Sequence, residues 1–116
     1  MEVWLILAAR EKLEWQEFNM SISRIGQVQA IPDSVEELRD FLLSIMPMIR
    51  SSPGCKSVML YQSREDPTRF TIIETWDSIE SHQASVKNIP PEKLTEFQPL
   101  LASPPGGGYF DPVAQK

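Results

Sequence analysis

The chain has 116 residues, of which 41% are hydrophobic and 23% charged, as expected for one globular domain. Its formal net charge of -5 disfavours binding to nucleic acid and to anionic membrane surfaces, because their phosphate groups would repel it. The single cysteine, Cys55, excludes an internal disulfide framework. The single histidine, His82, excludes a multi-histidine metal site within one chain.

The N-terminal region predicts neither a membrane span nor a signal peptide. The apolar run 3–9 is far shorter than the roughly 20 residues that cross a bilayer, and no basic residue precedes it. We therefore expect a soluble, cytoplasmic protein with no membrane partner. Residues 1–20 predict an N-terminal helical extension, and residues 21–116 predict the main domain. The apolar stripe of the extension consists of Trp4, Ala8, Trp15 and Phe18.

The main domain begins with a predicted strand over 21–30, which contains several β-branched residues. Ser34 and Glu37 then have the spacing of a capping box, which predicts the start of a helix. Apolar residues continue at helical spacing to Ile49, and Pro47 is expected to kink this helix or end its regular part.

Two strands follow, over 56–62 and 69–76, and the short polar loop between them predicts an antiparallel hairpin. Alternation places Met59 and Tyr61 on one face of the first strand, and Glu74 and Trp76 on one face of the second.

The last third predicts two helices and a strand. Asp77 and Glu80 have capping-box spacing, and the helix they begin carries His82 in an inward stripe with Ile79 and Val86. A short helix starts at Pro91. The three glycines 106–108 predict a break before a final strand over 109–113. The order β-α-β-β-α(α)-β predicts an α+β fold, a ferredoxin-like split βαβ with a four-stranded antiparallel sheet.

Several short motifs together resemble the antibiotic biosynthesis monooxygenase family. They are the turn Ser52-Pro53-Gly54-Cys55, the hairpin loop Asp66-Pro67-Thr68-Arg69-Phe70, the strand end Glu74-Thr75-Trp76, and the helix segment His82-Gln83-Ala84-Ser85. The resemblance implies a homodimer whose sheets form a dimeric α+β barrel. It also implies oxygenation of a small aromatic substrate, a quinol or polycyclic phenol, by O2 with no metal and no other cofactor.

Two residues are the candidates for catalysis. His82 is the only side chain with an ordinary pKa near neutrality, so it suits a base that makes the substrate anion which reduces O2. The alternative is a structural helix histidine. Trp76 could stack on an aromatic substrate and donate its indole N–H to a developing oxyanion. The alternative is a core tryptophan between sheet and helix.

Four residues are the candidates for substrate binding: Tyr61, Glu74, Met59 and Phe41. Glu74 could orient His82 or act as a base, or it could instead form an ion pair with Arg24 or Arg69 across the strands. Tyr61 could bind a substrate oxygen, whereas packing is the usual role of a strand tyrosine. Met59 and Phe41 could line an aromatic pocket or pack the core.

Two other functions remain open. One is a non-enzymatic dimeric module, small-ligand-binding or stress-related, for which residues 1–20 would supply an apolar surface. The other is a haem-binding or haem-degrading protein. The haem alternative fits less well, because those relatives have an asparagine on the first strand where this chain has Gly26 and Gln27.

Overall fold

The computed structural model describes residues 21–113, so the helix predicted over 1–20 lies outside the described residues. No helix in the described part is long and apolar enough to cross a membrane. Short 3-10 turns cover Pro32–Ser34 and Gln98–Leu100. The main elements are β1 (Ile22–Gln29), α1 (Val35–Arg50), β2 (Cys55–Gln62), β3 (Arg69–Trp76), α2 (Ile79–Lys87), α3 (Pro91–Phe97) and β4 (Gly106–Phe110).

The four strands form one antiparallel sheet in the order β2-β3-β1-β4. The order confirms the predicted α+β, ferredoxin-like split βαβ. The hairpin is also confirmed, since β2 pairs with β3 and the bounds of β3 are the predicted ones. The two central strands, β3 and β1, each pair with a neighbour on both sides.

One face of the sheet is covered by helices and holds the core. α1 presents Leu38 and Leu42, which are fully buried, against Val28 and Phe70 of the central strands. Since side chains alternate along a strand, every second residue from Phe70 to Trp76 lies on this same covered face. The opposite face of the sheet is free of helices within the described residues.

Both predicted capping boxes are wrong in detail. Ser34 precedes α1, but its side chain makes no capping hydrogen bond. It ends a 3-10 turn with φ -116° and ψ 15°, outside the extended conformation that aims a cap side chain at the first helical N–H groups. At α2 the cap is Ser78 rather than Asp77, and the Ser78 Oγ accepts a hydrogen bond from the Ser81 N–H at 3.1 Å.

α1 continues through Pro47 to Arg50, in agreement with the apolar spacing that extends to Ile49. Two further expectations are corrected. The final strand is Gly106–Phe110 rather than 109–113, because the glycines are extended and pair with β1. On α2, Ile79 and Val86 are exposed, so the predicted inward stripe is reduced to His82.

Candidate active site

A row of side chains crosses the covered face of the sheet at one register position. Glu74 of β3 lies opposite Arg24 of β1, and Arg24 in turn lies opposite Tyr109 of β4. Trp76 is two residues beyond Glu74 and points to the same face. The short connection from β3 to α2 then brings His82 over the row. Five side chains from four elements therefore meet at one end of the sheet.

Glu74 and Trp76 form the buried half of this cluster. The Glu74 residue is 8% exposed and Trp76 is 0% exposed. The Trp76 Nε1–H donates a 2.7 Å hydrogen bond to Glu74 Oε1. Burial raises the pKa of Glu74 because the charged form loses hydration, while the indole hydrogen bond and the Arg24 charge act in the opposite direction.

His82 joins this buried half to Tyr109. Its Nδ1 lies 2.7 Å from the Tyr109 hydroxyl oxygen, and its Nε2 lies 3.9 Å from Glu74 Oε1. The second distance is too long for a hydrogen bond but short enough for a strong electrostatic interaction. A proton on Nε2 would face the carboxylate favourably, whereas a lone pair there would be repelled. We therefore assign the proton to Nε2, with the Tyr109 O–H donating to Nδ1.

The charge state of His82 follows from its surroundings. Burial lowers the pKa of His82 from its ordinary value of 6.5, and the positive charge of Arg24 lowers it further. Its ring also makes edge contacts with Trp76 and Tyr109, with centroids 5.5 and 5.4 Å apart. At neutral pH the imidazole is thus neutral and held on two sides, as a proton acceptor should be.

The Arg24 guanidinium packs against β4, where the missing side chain of Gly107 leaves room for it. Its Cζ is 5.0 Å from the centroid of the Tyr109 ring, a cation-π contact. A Cβ on Gly107 would lie 2.8 Å from Arg24 Nη2 and 2.8 Å from the Ile25 carbonyl oxygen, which is closer than any side chain can sit. Gly107 therefore permits both the close strand pairing and the placement of the guanidinium.

Comparison with known proteins decides the family. The model of the antibiotic biosynthesis monooxygenase family matches residues 21–98. This chain belongs to that family. Membership supports a monooxygenase-like function in general, acting on a small ligand. A comparison with curated proteins gave no match.

Solved structures agree with the assignment. A Chloroflexus aurantiacus protein, provisionally named an antibiotic biosynthesis monooxygenase, is 31% identical with a TM-score of 0.67, over 83% of this chain and 96% of that one. A conserved protein from Methanosarcina mazei Go1 has a TM-score of 0.76 at 18% identity, over 84% and 97%. A Mycobacterium tuberculosis protein has a TM-score of 0.70 at 21% identity, over 82% and 97%. The last two show the fold alone.

Within this family member, the predicted site residues fall into two groups. His82, Trp76 and Glu74 come together in the cluster. Met59 and Tyr61 do not, because alternation along β2 places them on the opposite face of the sheet, where both are half-exposed. Phe41 also lies outside the cluster, since it stacks on Phe97 with ring centroids 5.2 Å apart and packs against the core.

Sequence reasoning missed two members of the cluster. In the prediction from sequence, Tyr109 is only a residue of the final strand, and Arg24 is only an ion-pair partner of Glu74. The signal for both is the strand register, which places Glu74, Arg24 and Tyr109 side by side. β4 starts at Gly106, three residues before the predicted start, and all five of its residues pair with β1.

The side chains of the described residues do not suggest a metal centre. No group of three or more His, Cys, Asp or Glu residues between 21 and 113 is arranged to hold a metal ion. Around His82, the polar neighbours are a carboxyl group, a phenol and a guanidinium. Such a set is suited to moving and stabilising a proton.

Proposed function

We propose that this protein is a cofactor-independent monooxygenase that oxidises a quinol or polycyclic phenol with O2. The observation that carries the proposal is the position of His82, whose Nδ1 lies 2.7 Å from the Tyr109 hydroxyl and whose Nε2 lies 3.9 Å from Glu74 Oε1. A base of this kind can remove the proton that keeps an electron-rich aromatic compound from reacting with oxygen.

The proposed reaction balances without an additional reductant. The substrate transfers a proton to the Tyr109 oxygen while the Tyr109 hydroxyl proton passes to His82 Nδ1, 2.7 Å away. The substrate anion that forms then transfers one electron to O2. The resulting radical pair combines to form a C–O bond, and the peroxide takes up a proton. Loss of water from this hydroperoxide breaks the O–O bond and leaves a carbonyl, so one oxygen atom enters the product and the other leaves as water.

Each residue of the cluster has a separate role in this proposal. His82 is the base, and Tyr109 orients it and relays the substrate's proton to Nδ1. Glu74 stabilises the imidazolium that forms, since it faces Nε2 at 3.9 Å. Trp76 is a positioning residue, because its N–H is already donated to Glu74 and its fully buried ring is not available for stacking on a substrate.

We also propose that the chain is a homodimer joined through the helix-free face of the sheet. That face carries large apolar side chains, which a monomer would leave in water at a cost of about 25 cal/mol per Å². They are Ile25, Met59, Tyr61, Ile73 and Phe110. In this arrangement Met59 and Tyr61 contribute to the subunit interface.

The dimer can be tested with two matched substitutions. Phe110 is 52% exposed on the helix-free face, and Leu94 is 47% exposed on α3. Sedimentation should show that Phe110→Asp weakens the dimer, whereas Leu94→Asp leaves it intact. Equal behaviour of the two variants would place the interface elsewhere.

The oxygenase itself is tested with 18O2 and purified, metal-stripped protein on a panel of reduced quinols and anthrones. The expected product carries one 18O atom for each O2 consumed, formed faster than by autoxidation. Saturable binding of the same compounds without turnover would instead indicate a dimeric ligand-binding module.

A further inference from the structure

A groove of about 430 Å³ runs along the β2 edge of the sheet, between β2 and α1. We call it the α1–β2 groove. Its walls are mostly apolar, with Leu43 and Met46 from the helix and Val58 and Leu60 from the strand. Leu43 is 51% exposed. The groove does not include His82 or Trp76, so it is separate from the candidate active site.

Two positively charged side chains line the groove. Arg39 and Arg50 are both exposed, lie 11 positions apart on α1 and line the groove. Within residues 21–113, neither guanidinium forms an ion pair. An occupant with an apolar centre and acidic residues would therefore complement this surface.

We propose that the α1–β2 groove binds the protein's own residues 1–20. This segment contains the apolar run 3–9 and the two tryptophans Trp4 and Trp15. It also has four glutamates, at positions 2, 11, 14 and 17, against one arginine and one lysine, at positions 10 and 12, for a side-chain charge of -2. Both its apolar content and its charge match the groove.

Residues 1–20 join the domain at the end of the sheet where β2, one wall of the groove, also begins. Ile22 and Cys55 both lie opposite Trp76, so β1 and β2 begin at the same end of the sheet, two strand spacings or about 10 Å apart. Ser21, next to the segment, accepts a 2.8 Å hydrogen bond from Lys56 Nζ of β2. Twenty residues span about 30 Å even if helical, so the segment reaches the groove within its own chain.

The test uses the full chain with Cys55→Ser, so that one introduced thiol reports on the groove. Leu43→Cys places the thiol in the groove, and Val86→Cys places it on α2, where the native side chain is 49% exposed. We expect the thiol at position 43 to react with a soluble maleimide about tenfold more slowly than the thiol at position 86, because it is accessible only when the segment leaves. Equal rates would overturn the proposal.

Charge reversal and cross-linking identify the occupant. Adding Arg39→Glu and Arg50→Glu should bring the rate at position 43 close to that at position 86. A benzophenone group on the thiol at position 43 should cross-link to a peptide from residues 1–20 at monomer mass. Protection that persists after charge reversal would contradict the proposed match of charge. Cross-links formed only at dimer mass would contradict the proposal and indicate that a second copy covers the groove. None of these readouts depends on oxygenase activity.

Discussion

The indole N–H of Trp76 donates a 2.7 Å hydrogen bond to the carboxyl group of Glu74, two residues earlier on the same strand. Both side chains are buried on the covered face of the sheet. The bond satisfies a carboxyl oxygen that has lost its water, and it holds that oxygen 3.9 Å from His82 Nε2. The buried tryptophan thus fixes the electrostatic environment of the proposed base.

Removing this donor should reduce stability. We expect Trp76→Phe to lower the free energy of unfolding by about 1–3 kcal/mol for the unsatisfied carboxyl oxygen, with a further loss from the smaller ring. Urea denaturation measures the change. The control is a double-mutant cycle with Glu74→Ala, which removes the acceptor of the hydrogen bond, and the two substitutions should be coupled by more than about 0.5 kcal/mol. Strict additivity would show that the hydrogen bond contributes nothing to stability.

The titration of His82 gives a second prediction, and the protein has no other histidine to complicate the signal. By NMR, the pKa of His82 should lie below 6.5, because burial and the Arg24 charge both disfavour the imidazolium. Arg24→Gln should raise the pKa, whereas Arg64→Gln in the exposed hairpin loop should leave it unchanged. A wild-type pKa above 6.5 would contradict the neutral base.

The pH dependence of stability provides a third prediction. Burial raises the pKa of Glu74 above its ordinary value of 4.5. At pH values between 4.5 and the raised pKa of the folded state, the folded protein therefore binds more protons than the unfolded protein. The contribution of Glu74 to stability is therefore fully present below about pH 4.5 and is lost as the pH rises through the folded-state value.

Glu74→Gln removes this titration while keeping an acceptor for the Trp76 N–H. Urea denaturation at several pH values should show the variant gaining stability relative to wild type as the pH rises from 4.5 to 7. Because Glu74 lies 3.9 Å from His82 Nε2, the substitution also changes the His82 titration, so the comparison is repeated in a His82→Asn background. A difference that is independent of pH would be inconsistent with a raised pKa of Glu74.

Gly54 provides a fourth prediction, at the turn that connects α1 to β2. The φ angle of Gly54 is +89°. A Cβ at this position would lie 2.5 Å from Asp77 Oδ1 and 2.6 Å from Ser81 Oγ. Both of these side chains lie at the start of the helix that carries His82. We expect Gly54→Ala to destabilise the fold by more than about 1 kcal/mol in thermal unfolding. Gly106→Ala is the control, since nothing lies within 4 Å of the added methyl group. Equal losses in the two variants would remove the steric explanation.

Much of the fold was predictable because its signals are local. The β2–β3 hairpin follows from alternation and a polar loop, and α1 follows from apolar residues at helical spacing. The caps at Ser34 and Asp77 were wrong because capping depends on the backbone angles of one residue, which a motif does not specify. The glycines of β4 were read as a break because glycine disfavours strands on its own, whereas pairing with β1 keeps them extended.

The candidate site was only partly predictable, for a related reason. His82, Trp76 and Glu74 are neighbours in the sequence, so a strand followed by a helix is enough to bring them together. Arg24 and Tyr109 join them through strand order and register, which are properties of the whole sheet. Met59 and Tyr61 are candidates because of their side-chain chemistry, but the alternation of β2 places them on the other face of the sheet.

The most direct test of the account is oxygen consumption by wild type and by His82→Ala, both metal-stripped, with reduced quinols and anthrones as substrates. Val86→Ala, an exposed change on the same helix, serves as the matched control. The account predicts uptake above autoxidation for wild type and the control, and a loss of about 10²–10⁴-fold for His82→Ala, the usual contribution of a general base. Uptake that is equal in all three proteins would contradict the role of His82.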